Sequence, residues 1–229
     1  MRLAIIPARG GSKRIPRKNI KIFHGKPIIA YAIETALNSG LFDQVIVSTD
    51  DEEIAKIAIQ HGASIPFMRS AKNSDDFAST SDVLLEILNE YHEKNTPISL
   101  ACCLYPTSPL IDETDLIKAY EVYSKNQFDT LFSAVNYSYP VQRSFFLGTK
   151  QEIELLQPEH IHARSQDLRP VYHDAGAFYF FKTDALRHQQ TLWSKNSGAF
   201  LLPAIKVQDI DHEEDWIMAE LKYQLIHGR

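Results

Sequence analysis

The 229-residue chain has only two cysteines, Cys102 and Cys103, and they are adjacent. Neighbouring residues of a strand point to opposite faces, so a disulfide between these two is not expected. The sequence therefore excludes a disulfide framework, as is typical of proteins from a reducing compartment. A chain of this length buries about 70% of its unfolded surface and needs no disulfide or metal to fold.

Long apolar runs and an excess of positive charge are also missing. The apolar run between Arg2 and Pro7 is too short for a signal-peptide core or a membrane span, so the cytoplasm is the expected compartment. Asp and Glu number 29 against 24 Lys and Arg, which gives a net charge of −5. This balance argues against nucleic acid or a membrane surface as a general partner.

Two familiar nucleotide loops, the Walker motif and the Gly-x-Gly-x-x-Gly fingerprint, are absent from the sequence. It has instead a different glycine loop at residues 5–19, which read IIPARGGSKRIPRKN. Gly10 and Gly11 allow close backbone approach to a ligand, and exposed amides beside Arg and Lys form an anion site. The predicted ligand is a polyphosphate, and the alternative is a basic surface turn.

Short apolar runs alternate with segments of helical periodicity along most of the chain. This alternation predicts a doubly wound α/β fold, with a mostly parallel sheet and helices on both faces. Strands are expected at 3–6, 45–47, 99–104, 130–135, 177–181 and 204–207, with a short one at 64–67; helices are expected from about 28, 52, 80, 113, 183 and 212. Ligands of such sheets bind beyond the carboxyl ends of the strands, so the loops after Ile6, Val47, Leu104 and Val135 are expected on one side.

The alternation is interrupted between about residues 137 and 172, where apolar residues become sparser and Tyr, Pro and His appear. We predict a single domain spanning 1–229 with an inserted, β-rich arm at this position. Asp50, with Glu53 after it, is the expected N-cap of the second helix. The last helix is expected to present Ile217, Leu221 and Leu225.

Residues 7–19 resemble the signature loop of the cytidylyltransferases that activate acidic nine-carbon sugars, a family that includes CMP-sialic acid synthetase. The resemblance continues in the family's order through Gly25-Lys26-Pro27 and residues 46–50, 74–79, 105–109 and 209–211. It implies a fold like that of the nucleotide-diphospho-sugar transferases, CTP as substrate, Mg²⁺ as cofactor, and a homodimer in which the arm reaches the partner's site.

Three further segments, 139–143, 164–168 and 172–179, are most similar to the pseudaminic acid branch of that family. Tyr105 and residues 173–177 depart from the pattern of the sialic acid branch. The resemblance implies condensation of CTP with pseudaminic acid to CMP-pseudaminic acid and pyrophosphate, for surface glycans or flagellin glycosylation. The alternatives are a CMP-sialic or CMP-legionaminic acid synthetase, a uridylyl- or deoxycytidylyl-type transferase, a CTP-binding module without turnover and a structural dimer.

The resemblance also implies a nucleotide site. Arg9, Lys18 and Asn19 are expected on the triphosphate, where Arg–phosphate hydrogen bonds are short and often bidentate. Ser79 and Tyr105 are expected near the cytosine; an N-cap and core packing are the respective alternatives. The full expected set is Ala8, Arg9, Gly10, Gly11, Ser12, Lys18, Asn19, Ser79 and Tyr105.

Two carboxylates and a group of polar residues complete the expected site. Asp209 and Asp211 can face one ion from an extended segment, and the family's metal carboxylates lie at this position. Asp211 with Glu214 also fits an N-cap with its capping box. With Arg9 and Lys18 these carboxylates form the expected catalytic set, and the sugar is expected to contact Arg143, Arg164, Gln166, His173 and Asp174. Arg143 and Arg164 are candidates to bind the sugar's carboxylate, and the alternative is that both are ordinary surface residues. The sugar hydroxyl is expected to be activated by the metal ion, and the alternative is that His173 acts as a general base.

Overall fold

The structure, a computed structural model, describes residues 1–228. Its strands are β1 (Arg2–Pro7), β2 (Ile22–Phe23), β3 (Lys26–Pro27), β4 (Gln44–Ser48), β5 (Leu100–Leu104), β6 (Thr130–Asn136), β7 (Phe145–Leu147), β8 (Ile153–Leu155), β9 (Tyr172–Phe181) and β10 (Ser197–Leu201). Its α-helices are α1 (Ile28–Asn38), α2 (Glu52–Gln60), α3 (Thr80–Glu93), α4 (Glu113–Asn126), α5 (Thr183–Gln189) and α6 (Glu213–His227).

The main sheet has six strands in the order β10-β6-β9-β5-β1-β4, and only β9 runs antiparallel to its neighbours. Alternate residues of β1 separate into two cores: Ala4 and Ile6 pack with α1, α2 and α4, whereas Leu3 and Ile5 pack with α3 and α5. The predicted doubly wound α/β fold, with helices on both faces, is confirmed.

The two cysteines follow the same alternation. Cys102 lies in one core and Cys103 in the other, and both are free and fully buried. Burial raises the pKa of both thiols well above the ordinary value. No disulfide joins them, as their opposite directions on β5 predicted.

Four parallel strands, β1, β4, β5 and β6, end at the same edge of the sheet. Because β9 is antiparallel, its first residues also lie at this edge, where His173 pairs with Val135 and Asp174 with Ala134. The predicted gathering of the four loops on one side is confirmed, and the beginning of β9 joins them.

Several local predictions were wrong. Residues 64–67 form no strand beyond one bridge from Ser64 to Ile46. Residues 204–207 are a 3-10 turn, because Pro203 fixes the backbone before it and leaves the ladder without an N–H donor. The last strand is β10, a mixed-polarity edge strand that pairs with β6. Helix α2 is capped by Asp51, not Asp50: its side chain accepts from Ile54 N at 2.9 Å.

Helix α6 also buries different residues from those expected. Trp216 and Ala219 pack against Phe23 and Tyr31, whereas the predicted apolar face is exposed. That face comprises Ile217, Leu221 and Leu225. The third core therefore joins α6 to the segment that follows the glycine loop.

The segment between β6 and β9 leaves the main sheet. It contains β7 and β8, which form a separate two-stranded antiparallel sheet, and several 3-10 turns. Phe145, Phe146, Leu147 and Ile153 are each more than half exposed on this sheet. No helix within residues 1–228 has the length and apolar character needed to cross a membrane.

Candidate active site

The glycine loop follows β1 and is held by hydrogen bonds within the chain. Gly10 N donates to Asp50 Oδ1 at 2.9 Å, and Ser12 N donates to Gly10 O at 3.0 Å. A Cβ on Gly10 would lie 2.8 Å from Asp51 Oδ2, so the tight packing here requires glycine. The amide of Gly11, in contrast, has no acceptor within the described chain and is available to a ligand.

Arg17 anchors the far end of this loop. It has a left-handed backbone, with φ of 56°, and its guanidinium forms ion pairs with Asp51 and Glu53. Hydrogen bonding to Arg17 lowers the pKa of the Asp51 carboxyl, and the Ile54 amide adds to this effect. Arg17 therefore positions the loop on α2 and does not line a cavity of the site.

An Asp51→Asn variant tests this anchor through acid unfolding. A lowered folded-state pKa gives stability that is complete above the unfolded pKa of Asp and is lost as the pH falls through the folded value. Since Asn still caps α2, we expect the variant to lose about 1 kcal/mol near neutral pH. The difference should shrink below about pH 4. Urea unfolding at several pH values measures it, and a pH-independent difference would contradict the anchor.

The loop forms one wall of a cavity of about 500 Å³ at the carboxyl edge of the sheet. The predicted residues that line it are Arg9, Ser12, Lys18, Asn19, Ser79 and Tyr105. Ala8 is fully buried in the core, and neither it nor Gly10 and Gly11 lines the cavity. Asn19 braces the loop, because its Nδ2 donates to Arg9 O at 3.0 Å.

The loop cations in this cavity are paired with carboxylates. Arg9 Nη1 lies 2.8 Å from Asp76 Oδ1, and Lys13 pairs with the same carboxylate. Arg14 Nη2 lies 2.7 Å from Asp211 Oδ1, and Lys18 Nζ lies 3.6 Å from that oxygen. The cavity is therefore polar and charged, and its loop cations each face a carboxylate of the chain.

Sequence reasoning missed Arg69, which also lines this cavity. Its side chain is buried, its Nε donates to Ser48 Oγ at 3.0 Å, and its Nη2 donates to Ser48 O. Burial lowers the pKa of Arg69. Arg69 lies in an irregular segment without a motif, so the sequence gives no local sign that it belongs to the site. Its role is visible only from its contact with the end of β4 in the folded chain.

Ser79 caps α3 and lies in the cavity wall at the same time. Its hydroxyl forms a capping box with Asp82: Asp82 N donates to Ser79 Oγ at 3.2 Å and Ser79 N donates to Asp82 Oδ2 at 2.9 Å. The N-cap alternative is thus confirmed, and the contact of Ser79 with the base stays a prediction.

A Ser79→Ala variant separates the cap from the ligand contact. Loss of the cap is expected to lower the free energy of unfolding by about 1 kcal/mol. If the hydroxyl also contacts the base, the KM for the nucleotide rises as well. Ser79→Asn, which can cap the helix without adding charge beside Asp82, is the control: recovered stability with a persistently high KM supports contact, and recovery of both quantities contradicts it.

A second cavity of about 540 Å³ adjoins the first, and Tyr105 lines both. The Tyr105 hydroxyl lies 3.0 Å from Thr80 Oγ1, and its ring packs 5.6 Å from that of Tyr179. Tyr179 donates to the carboxylate of Asp174, which lines the second cavity with His173. These contacts hold the Tyr105 side chain in the wall shared by the two cavities. Two adjoining cavities fit a site that binds two reactants.

Asp209 lines the second cavity, whereas Asp211 lines neither cavity and faces Arg14 and Lys18 of the first. The Asp209 carboxylate has no polar partner within residues 1–228. Partial burial, followed by the charge of Asp211, raises the pKa of Asp209. Two neighbouring carboxylates, one of them unpaired, fit Mg²⁺, which takes one or two carboxylates together with water and substrate phosphates. No cluster of three or more His, Cys, Asp or Glu suited to a metal occurs in the described chain.

The predicted capping role of Asp211 was wrong. His212 is the N-cap of α6, and the box is closed by Asp215, not Glu214. Asp215 Oδ2 accepts from Asp211 N at 3.0 Å and from His212 N at 2.8 Å. The Asp211 side chain is consequently directed to the loop cations.

Three predicted sugar-binding residues lie away from both cavities. Arg143 donates to Ser165, while Arg164 pairs with Asp167 through Nε at 2.6 Å. Gln166 is exposed nearby on the arm. Within the described chain, therefore, only His173 and Asp174 of the expected sugar set reach the second cavity.

A sequence model of the family described as cytidylyltransferase matches residues 3–195. The chain belongs to the cytidylyltransferase family. It is 45% identical over 225 residues to the pseudaminic acid cytidylyltransferase of Campylobacter jejuni, with 98% of this chain and 97% of the relative covered. It is 31% identical to the CMP-N,N'-diacetyllegionaminic acid synthase of Legionella pneumophila, with 97% and 96% covered.

A solved structure of a CMP:2-keto-3-deoxy-manno-octonic acid synthetase complexed with CTP superposes on this cytidylyltransferase with a TM-score of 0.71. The two chains are 19% identical, and the match covers 100% of this one and 99% of the other. This similarity supports the fold. The family identifies the chain as a nucleotidyltransferase, with CTP as the substrate that fits it.

Proposed function

We propose that this cytidylyltransferase condenses CTP with pseudaminic acid, an acidic nine-carbon sugar, to give CMP-pseudaminic acid and pyrophosphate. The observation that supports two reactants is the pair of adjoining cavities with Tyr105 in both walls. The identity of 45% with a pseudaminic acid cytidylyltransferase supports the sugar. The reaction is proposed to take place in the cytoplasm, which supplies CTP, and to serve surface glycans or flagellin glycosylation.

In this proposal the first cavity holds the nucleotide. Arg9 and Lys18, which line this cavity, bind the triphosphate. Ser79 and Tyr105, which line the same cavity, are near the cytosine. Fixed donors and cations of this kind stabilise the charge that develops as pyrophosphate leaves.

Asp209 and Asp211 are proposed to hold Mg²⁺. When bound, this ion neutralises phosphate charge and favours ionisation of a nearby hydroxyl. Lys18 lies 3.6 Å from Asp211 Oδ1 and also donates to Ile210 O, so it fixes the carboxylate segment against the glycine loop. In this proposal catalysis comes mainly from positioning: the protein holds the sugar's anomeric hydroxyl in line for attack on the α-phosphorus.

His173 is the rival general base, and its contacts argue against that role. Its Nδ1 lies 2.8 Å from Asp174 O and its ring is exposed. We expect His173→Ala to keep both limbs of the pH–rate profile, with a raised KM for the sugar as its main effect. Loss of one limb in a variant that folds normally would instead identify His173 as the base.

We further propose a homodimer in which the arm at 137–172, an insert in a single domain, supplies Arg143, Arg164 and Gln166 to the sugar site of the partner. The distance of these residues from their own chain's cavities and the exposed apolar side chains of β7 and β8 support this arrangement. Sedimentation equilibrium is expected to give a dimer. A chain that remains a fully active monomer would contradict it.

A nucleotide panel tests the proposed reaction. Pyrophosphate release from CTP, UTP, ATP, GTP and dCTP is measured with pseudaminic acid and Mg²⁺, and substantial release is expected from CTP. Equal release from UTP would favour a uridylyltransferase. Nucleotide binding without release from any of the five would favour a non-catalytic module.

A further inference from the structure

The carboxylate of Asp76 forms ion pairs with two cations of the nucleotide cavity, Arg9 and Lys13. Its Oδ1 accepts from Arg9 Nη1 at 2.8 Å, and its Oδ2 pairs with Lys13. Arg9 Nη1 also donates to Asp75 O, at 2.9 Å. Both cations and both aspartates line the cavity. The chain therefore places one of its own anionic groups where the proposed triphosphate site has its positive charge.

The loop cations fall into three groups with different partners. Arg17 is committed to α2 through Asp51 and lies outside the cavity. Arg14 and Lys18 face Asp211, which has a proposed role of its own at the metal. Arg9 and Lys13 face Asp76, and within the described chain the Asp76 carboxylate has no other polar contact. The role of Asp76 is thus confined to these two cations.

The backbone around Asp76 is held independently of its side chain. Asp75 Oδ1 accepts from Phe77 N at 2.9 Å and from Ala78 N at 2.8 Å, and the capping box of Ser79 begins directly afterwards. Release of the Asp76 side chain breaks none of these hydrogen bonds. Its ion pairs are also exposed: the side chains of Asp76 and Lys13 are 44% and 77% accessible. Exposed ion pairs contribute little net free energy, so a more highly charged anion can replace the carboxylate.

We propose that Asp76 is an internal competitor that makes the site select polyphosphates over the phosphodiester product. This inference rests on the proposed function. CTP and pyrophosphate carry several negative charges and enough oxygens to displace one carboxylate from both Arg9 and Lys13. The CMP-sugar carries a single charge on its phosphodiester, no more than Asp76 itself. Once pyrophosphate leaves, Asp76 returns to the two cations and favours release of the product.

Calorimetric titration of three ligands tests the competitor: CTP, inorganic pyrophosphate and the methyl ester of CMP, a diester with a single charge. Divalent cations are left out, so that Asp209 and Asp211 contribute equally in every variant. We expect Asp76→Asn to bind CTP and pyrophosphate roughly fivefold to tenfold more tightly, the scale of two exposed ion pairs. Its affinity for the diester should stay within about twofold of wild type, since by this account the diester displaces nothing.

Glu52→Gln is the matched control, because Glu52 is an exposed carboxylate at the start of α2 that lines neither cavity and whose side chain makes no hydrogen bond or ion pair within residues 1–228. It should bind all three ligands as the wild type does. Unchanged or weaker binding of CTP and pyrophosphate by Asp76→Asn would overturn the proposal, as would equal gains for the diester or for Glu52→Gln. Pyrophosphate has no base, so it tests Asp76 even if the nucleotide panel rejects CTP.

Discussion

Asp209→Ala is expected to fold normally and to lose about 10³-fold or more of kcat, since a bound metal ion contributes several kcal/mol to the transition state of a phosphoryl reaction. The structure gives the reason for choosing this residue. Its carboxylate has no polar partner in the described chain, so its replacement removes no internal hydrogen bond. Partial burial and the charge of Asp211 raise the pKa of Asp209, so its ionised form is disfavoured in the chain alone.

Glu214→Ala is the matched control for this variant. Glu214 is an exposed carboxylate on α6, close in sequence to Asp209, and its side chain makes no hydrogen bond or ion pair within residues 1–228. Pyrophosphate release at several Mg²⁺ concentrations and circular dichroism should show wild-type behaviour for Glu214→Ala. If Asp209→Ala remains near wild-type activity at low Mg²⁺, the metal assignment is wrong.

Lys18→Met is expected to reduce kcat/KM by about 10²–10³-fold, the range for loss of one preorganised electrostatic contact. Lys18 contacts two parts of the site: it lines the nucleotide cavity, and its Nζ lies 3.6 Å from Asp211 Oδ1. Its ammonium therefore neutralises charge on the triphosphate and orients the carboxylate segment. Both functions act on the transition state, so kcat should fall more than the affinity for CTP.

Lys21→Met removes a neighbouring ammonium that lies outside the site. Lys21 Nζ lies 2.7 Å from Glu213 Oε2 and 4.4 Å from the centroid of the Trp216 ring. This variant should keep kcat/KM within about twofold of wild type, as surface ion pairs contribute little. Comparable losses in the Lys18 and Lys21 variants would show that Lys18 acts through folding of the segment around α6.

The sequence predicted the central sheet because its strands are short and apolar and its helices are strongly periodic. The edge strand β10 was missed because Ser197 and Gly198 give it no apolar pattern; its pairing depends on β6, and Gly198 leaves room for the ring of Phe128. The face of α6 was wrong for a related reason. Trp216 is buried because Phe23, almost 200 residues earlier, packs against it.

The sequence predicted many of the residues that line the two cavities, but not the contacts that these residues make with one another. Arg9, Ser12, Lys18 and Asn19 of the glycine loop line one cavity with Ser79 and Tyr105, and Asp209 lines the adjoining cavity. Their roles in binding and catalysis stay predictions. Arg69 was missed because a single arginine in an irregular segment carries no local signal, and its role depends on the end of β4. The pairing of Arg9 with Asp76 could not be predicted either, since ion-pair partners distant in sequence follow from the packed fold.

The most direct measurement of the central claim is product analysis with a panel of acidic nine-carbon sugars. The wild-type chain is incubated with CTP, Mg²⁺ and either pseudaminic, legionaminic or sialic acid, and CMP-sugar formation is followed by mass spectrometry together with pyrophosphate release. We expect CMP-pseudaminic acid, with kcat/KM for pseudaminic acid well above that for the other two. A preference for legionaminic or sialic acid, or no CMP-sugar from any of the three, would contradict it.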